Sequence, residues 1–197
     1  MKPLVPRVLE GTIVSLEPLT DSHVPELAAV AFDPDLWAVT TTNLRNDEDL
    51  RRYVEDALAL QRAGTALPFC IRLNATGSVV GSSRFANYDA PNRKVEIGWS
   101  WVARPWHRTS VNAESKLLML KYAFEDLECL RVEFKTDAIN LRSQGALTKL
   151  GALREGVLRS HMIVQGGRRR DSVYFSILAE EWPTVHANLQ RRLRDGS

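Results

Sequence analysis

The sequence predicts an α/β (α+β) protein, with a mixed, mostly antiparallel seven-stranded sheet flanked by helices. Runs alternating apolar and polar residues recur along the chain, interleaved with segments whose apolar residues follow helical spacing. Three strand runs follow one another with only turns between them, which makes an antiparallel meander. A strand, a helix and a further strand come next, and that crossover forces the two strands to run parallel.

The elements can be justified in order. Residues 12–19 alternate and form the first strand. Thr20-Asp21-Ser22-His23 offers capping side chains to a helix over 24–30, with Pro25 in its first turn, and Asp33-Pro34 ends it. Asp47-Glu48 opens a second helix, where Leu50, Tyr53, Val54, Ala57, Leu58 and Gln61 follow helical spacing and Gly64 closes it. Strands over 67–73 and 79–88 flank a turn at Asn74-Ala75-Thr76-Gly77, and Asp89-Ala90-Pro91-Asn92 turns into a strand over 93–103. A helix follows from about 110 to 127, then a strand over 130–136 and a helix over 140–150 ended by Gly151. Strands over 153–164 and 171–178 flank Gln165-Gly166-Gly167, and a last helix spans about 179–194.

A chain of 197 residues with 44% hydrophobic and 25% charged residues suits a single domain over 1–197, its core at about 10–180. A net charge of +2 argues against a nucleic-acid or membrane surface. The runs Arg51-Arg52, Arg168-Arg169-Arg170 and Arg191-Arg192 are short and read as solvated faces. Cys70 and Cys129 lie in apolar stretches without a CxxC pattern, so both read as reduced core thiols. His23, His107, His161 and His186 form no ligand-spaced cluster, and no metal is expected. With no signal-length or membrane-length apolar run, a cytoplasmic location is expected.

The stretch most suggestive of chemistry is Trp106-His107-Arg108-Thr109-Ser110-Val111-Asn112-Ala113-Glu114-Ser115-Lys116, which joins a strand to a helix. Backbone N–H groups at the positive end of a helix suit a phosphate.

Several segments, in this order and spacing, resemble the GNAT acyltransferase superfamily, specifically the ribosomal-protein N-terminal acetyltransferase type. They are Ile97-Gly98-Trp99, Ala123-Phe124-Glu125-Asp126-Leu127, Arg131-Val132-Glu133, Asn140-Leu141-Arg142-Ser143, Lys149-Leu150-Gly151-Ala152 and Arg154-Glu155-Gly156. The resemblance covers about residues 10–180. The family's pyrophosphate loop, Gln/Arg-x-x-Gly-x-Gly/Ala, falls on His107 to Asn112, with Ser110 and Asn112 at the two small positions.

The resemblance implies transfer of an acetyl or other short acyl group from acetyl-CoA, as co-substrate, to an amine. Cofactor contacts would come from Trp101, Val102, His107, Arg108, Thr109, Ser110, Val111, Asn112, Ala113, Asn140 and Ser143. The pantetheine arm would pair with backbone at Trp101 and Val102, Asn140 would contact that arm, and Ser143 would protonate the leaving thiolate. Glu96 is the first candidate for general base, on the premise that Glu96, Ser100 and Val102 share one strand face while Val95, Ile97 and Trp99 share the other. His161 is the second. Trp37 with Thr40, Thr41 and Thr42 could wall the acceptor pocket or be a core tryptophan beside a polar loop, and Arg84 and Asn87 could meet a carboxylate or peptide backbone. With no cysteine at the centre, direct attack in a ternary complex is expected. A non-catalytic CoA-binding protein and an unrelated phospholigand or RNA module remain as alternatives, and a homodimer is open.

Overall fold

A computed structural model describes residues 1–195. Its strands are β1 (Leu9–Glu10), β2 (Val14–Pro18), β3 (Leu67–Leu73), β4 (Val79–Asp89), β5 (Lys94–Val102), β6 (Arg131–Asp137), β7 (Leu153–Ile163) and β8 (Arg169–Leu178). The helices are α1 (Val24–Ala31), α2 (Asp47–Arg62), α3 (Ser110–Lys121), α4 (Leu141–Leu150) and α5 (Trp182–Arg194). Among the described residues all strands join one sheet in the order β1-β2-β3-β4-β5-β6-β8-β7, and only the β5–β6 pair is parallel.

The sheet has eight strands where the periodicity predicts seven. The addition is β1, whose two residues pair with Leu16 and Ser15; a run that short carries no alternation to read. The helix expected to reach residue 127 is α-helical only to Lys121 and continues as a π-turn, Tyr122–Asp126. The last helix begins at Trp182, because residues 179–181 form a turn in which Glu181 Oε2 accepts the N–H of Leu178 at 2.8 Å.

Alternation buries both faces of the sheet. On one, Leu16, Phe69, Phe85, Val95, Ile97 and Val102 meet Met119 and Leu120 of α3, Leu147 of α4 and Leu189 of α5. On the other, Leu19, Cys70, Val79 and Trp101 meet Leu27 of α1 and Leu50, Tyr53 and Val54 of α2. Glu114 of α3 reaches β2 and accepts backbone N–H groups from Thr12, Ile13 and Val14 at 3.0, 2.7 and 2.7 Å. A Cβ at Gly11 would lie 2.6 Å from that carboxylate, so only glycine fits there.

Two β-bulges shape the centre of the sheet. Between the pairs Ala86/Glu96 and Asp89/Lys94, β4 carries one extra residue, and Asn87 takes φ 50°. Between Arg84/Gly98 and Ser82/Trp101, β5 carries one extra, and Trp99 takes φ 48°. The second bulge overturns the predicted facing. Beyond it Trp101 lies on the α1–α2 side with Glu96, whereas Val102 joins the cluster of Ile97, and Ser100 bonds Ser83 and Lys116 on the α3 side.

Among the described residues, no helix is long and apolar enough to cross a membrane.

Candidate active site

β5 and β6 hold together only from Lys94–Arg131 to Glu96–Glu133; beyond that point β5 pairs with β4 and β6 with β8. The two parallel strands therefore separate after Glu96 and leave facing backbone edges unpaired, which suits an extended ligand that bonds like a strand.

The loop after β5 closes one end of this opening. Residues Arg104–Trp106 make a single 3₁₀ turn, and Arg104 Nη1 pairs with Asp35 Oδ2 at 2.8 Å. His107 Nε2 meets the Val102 carbonyl at 2.8 Å, and its Nδ1 lies 3.3 Å from Arg142 Nη1. The tautomer with its proton on Nε2 satisfies both contacts. Arg108 is left-handed, at φ 61°. Thr109 caps α3, its hydroxyl accepting the Val111 N–H at 3.3 Å and donating to the Trp106 carbonyl at 2.8 Å. Ser110, Val111, Asn112 and Ala113 form the first turn of α3, so Ser110 and Asn112 sit in ordinary helical backbone. Their departure from small residues is a matter of side-chain bulk, not of backbone conformation. Val111 points into the core and offers the loop only its backbone.

α4 starts at the open end of β6. Asn140 caps it by accepting the Ser143 N–H at 3.0 Å. Arg142, on the same first turn, is the cation that reaches His107. Sequence reasoning missed it because 35 residues separate the two and only the crossover brings them together. Beside it Ile139 and Leu141 leave 56% and 75% of their surface exposed, an apolar rim on the cleft.

Glu96 lies where the strands part, 4% exposed. Asn87 Nδ2 donates to Glu96 Oε2 at 2.7 Å, and Lys135 Nζ is 3.5 Å from the same oxygen. It is thus a buried carboxylate at the root of the opening, bonded to neither Arg93, which donates to the Glu128 carbonyl, nor Arg84. His161 stands further out. It is exposed on β7, its Nδ1 is 3.0 Å from Ser172 Oγ, and its ring packs edge-on to Tyr174, the residue that also faces Lys135.

Trp37, expected to wall an acceptor pocket or to lie in the core, is a core residue: its Nε1 donates to the Ala31 carbonyl at 2.7 Å, and its ring meets Trp101 edge to face. Thr40 bonds the Thr42 carbonyl, which also accepts from Gln165 Nε2 at 3.0 Å, tying the β7–β8 hairpin to this loop. Burial pushes the thiols of Cys70 and Cys129 up to about 12, so neither is a ready nucleophile.

A mixed sheet with one parallel pair splayed over a helix N-terminus defines an acyltransferase-type fold. The chain matches the family model "Acetyltransferase (GNAT) domain" over residues 14–153, and it belongs to the GNAT acetyltransferases. It is 35% identical over 106 residues to "Putative ribosomal N-acetyltransferase YdaF" of Bacillus subtilis (strain 168), a match spanning 54% of this chain and 57% of that one. A solved GCN5-related N-acetyltransferase from Brucella melitensis superposes with a TM-score of 0.90 at 27% identity, covering 98% of this chain and 87% of the other. Mycobacterium smegmatis RimJ, solved in complex with CoA-disulfide, shares the fold at 24% identity, with a TM-score of 0.78 over 96% of this chain and 93% of its own.

Proposed function

We propose that the chain moves an acetyl or other short acyl group from acyl-CoA to a primary amine by direct attack in a ternary complex. The observation that carries this reading is the opening between β5 and β6, with a helix N-terminus at one end and a buried carboxylate at its root. Bound acyl-CoA supplies the activated acyl group.

The residues around the opening fit such a ligand. Backbone N–H groups of residues 108–113 at the positive end of α3 suit a pyrophosphate, and Arg108 and Arg142 add charge beside them. The β5 edge at Trp101 and Val102 takes the pantetheine arm, His107 holds that edge to the loop, and Ile139 and Leu141 cover the arm's apolar parts. Asn140 keeps its side-chain oxygen on the α4 cap, which leaves its amide nitrogen to donate to the arm.

The chemistry requires a neutral amine and a proton for the departing sulfur. Glu96 accepts the amine's proton, directly or through one water, while Asn87 fixes the carboxylate. Ser143 sits half-buried on the first turn of α4 and passes its hydroxyl proton to the departing sulfur while taking a replacement proton from solvent, so that no alkoxide is left. The burial of Glu96 at the last β5–β6 pair, against the exposed position of His161 on β7, favours Glu96 as base.

The test is incubation with acetyl-CoA and a panel of amines, following free thiol release and product mass. CoA binding without transfer to any amine would leave a non-catalytic binding protein instead. Arg142→Ala is expected to raise the Kd for CoA about 3- to 10-fold with little change for dephospho, pyrophosphate-free pantetheine analogues. Titration calorimetry reads both, and equal losses for the two ligands would remove Arg142 from the phosphate site.

A further inference from the structure

Arg84 of β4 is 3% exposed, yet its Nε and Nη2 have no hydrogen-bond partner. Its guanidinium lies 5.1 Å from the ring centre of Tyr53 and 5.0 Å from that of Trp99. Those rings offer π faces to the cation but no acceptor for its N–H groups. Among the described residues no carboxylate forms an ion pair with it, and Glu96 is engaged by Asn87 and Lys135. Arginine is seldom buried without a counter-charge, because an unpaired buried cation loses its hydration for nothing in return.

Its position gives the missing partner a place. Arg84 pairs with Gly98 in the β4–β5 register and Ala86 pairs with Glu96, so Arg84 and Glu96 are diagonal neighbours on one face. Gly98, the residue opposite Arg84, lies beneath the Glu96 carboxylate: a Cβ there would come within 3.1 Å of Glu96 Oε1, so the lack of a side chain lets that carboxylate lean over β5 toward Arg84. The bulge at Trp99 is what turns an indole onto the guanidinium.

We propose that Arg84 recognises a carboxylate on the acceptor, and that the acceptor is a short amine whose carboxylate lies against Arg84 while its amino group faces Glu96. Diagonal neighbours lie about 7–8 Å apart, with their Cβ atoms somewhat closer, so amine and carboxylate are a few bonds from each other, as in an amino acid. This rests on the reading of Glu96 as the group that serves the amine.

The experiment separates binding from turnover. With CoA bound, N-acetylated α-amino acids and their carboxamides are titrated calorimetrically into wild type, Arg84→Met and Arg84→Lys. In parallel, kcat/KM for acetyl transfer is measured with the corresponding free amino acids and amino-acid amides. The acids are expected to bind and react about 10- to 100-fold better than the amides in wild type, a preference lost in Arg84→Met and partly kept in Arg84→Lys. Equal binding of acid and amide to wild type overturns the proposal, and that comparison depends on no variant's folding. A preference that survives in folded Arg84→Met overturns it as well. Acid-selective binding that needs Arg84, with no transfer to any amine, supports the carboxylate site while sinking the transfer reading.

Discussion

Replacing Lys116 by methionine is expected to stabilise the protein by on the order of 4 kcal/mol at pH 7. Lys116 is buried in α3, its ammonium donating to Ser83 Oγ at 3.1 Å and Ser100 Oγ at 2.5 Å. Neither hydroxyl neutralises a charge, and burial brings the amine down from an ordinary 10.5 to about 7. Between about pH 7 and pH 10 the unfolded chain therefore holds a proton that the folded chain has lost. Stability rises with pH across that window, and below about 7 the whole penalty remains. Methionine keeps most of the apolar stem, and Ser83 and Ser100 stay bonded to each other at 2.7 Å, so the substitution orphans no polar group. Urea denaturation at pH 7 and pH 9.5 checks this: wild type gains stability between the two, and Lys116→Met starts higher and gains much less. A variant less stable than wild type at pH 7, or two parallel pH profiles, would refute the account.

The lysine also shows where sequence reading runs out. An alternating run such as residues 94–98 is legible because apolar Val95 and Ile97 share the face that meets α3 while Lys94, Glu96 and Gly98 share the other. The alternation breaks at Trp99, where a bulky residue in left-handed backbone inserts one position and swaps the faces of Ser100, Trp101 and Val102. Nothing in the residue types announces it, since bulges favour glycine or asparagine at such angles and this one carries tryptophan. The same shift places Ser100 over Lys116 and Trp99 over Arg84, two juxtapositions that spacing alone cannot give.

The loop reads differently. His107 to Ala113 is recognisable as a strand-to-helix junction, and the structure adds that the strained residue is Arg108 rather than either position where the family carries small residues. Asn140 and Ser143 are legible because a cap and the residue three further on are a local pattern. Arg142 is not, because a tertiary contact defines what it does, whereas for Trp37 the sequence leaves a core position and a pocket wall both open and the structure places it in the core.

Glu96 tests the site as a whole. Glu96→Gln is expected to lower kcat for acetyl transfer by about 100- to 1,000-fold, the usual range for a positioned general base. The Kd for CoA should change less than about twofold, because Glu96 touches Asn87 and Lys135 and not the loop proposed to hold the phosphates. Glutamine keeps an oxygen to accept from Asn87 and keeps the side-chain volume, so the loss reads as chemistry rather than collapse of the cleft. The pH profile supplies the decisive distinction. As pH approaches the pKa of the acceptor amine, more of it arrives without its proton, and the gap between variant and wild type should narrow. A gap that is constant with pH would give Glu96 an electrostatic or positioning role. Retention of activity within about threefold would remove it from the mechanism and leave the amine to arrive neutral from solvent. Because Lys135 loses its counter-charge in this variant, Lys135→Met is the matched control. If Lys135→Met alone reproduces the loss, the effect belongs to the ion pair, and a much smaller loss there leaves it with the carboxylate.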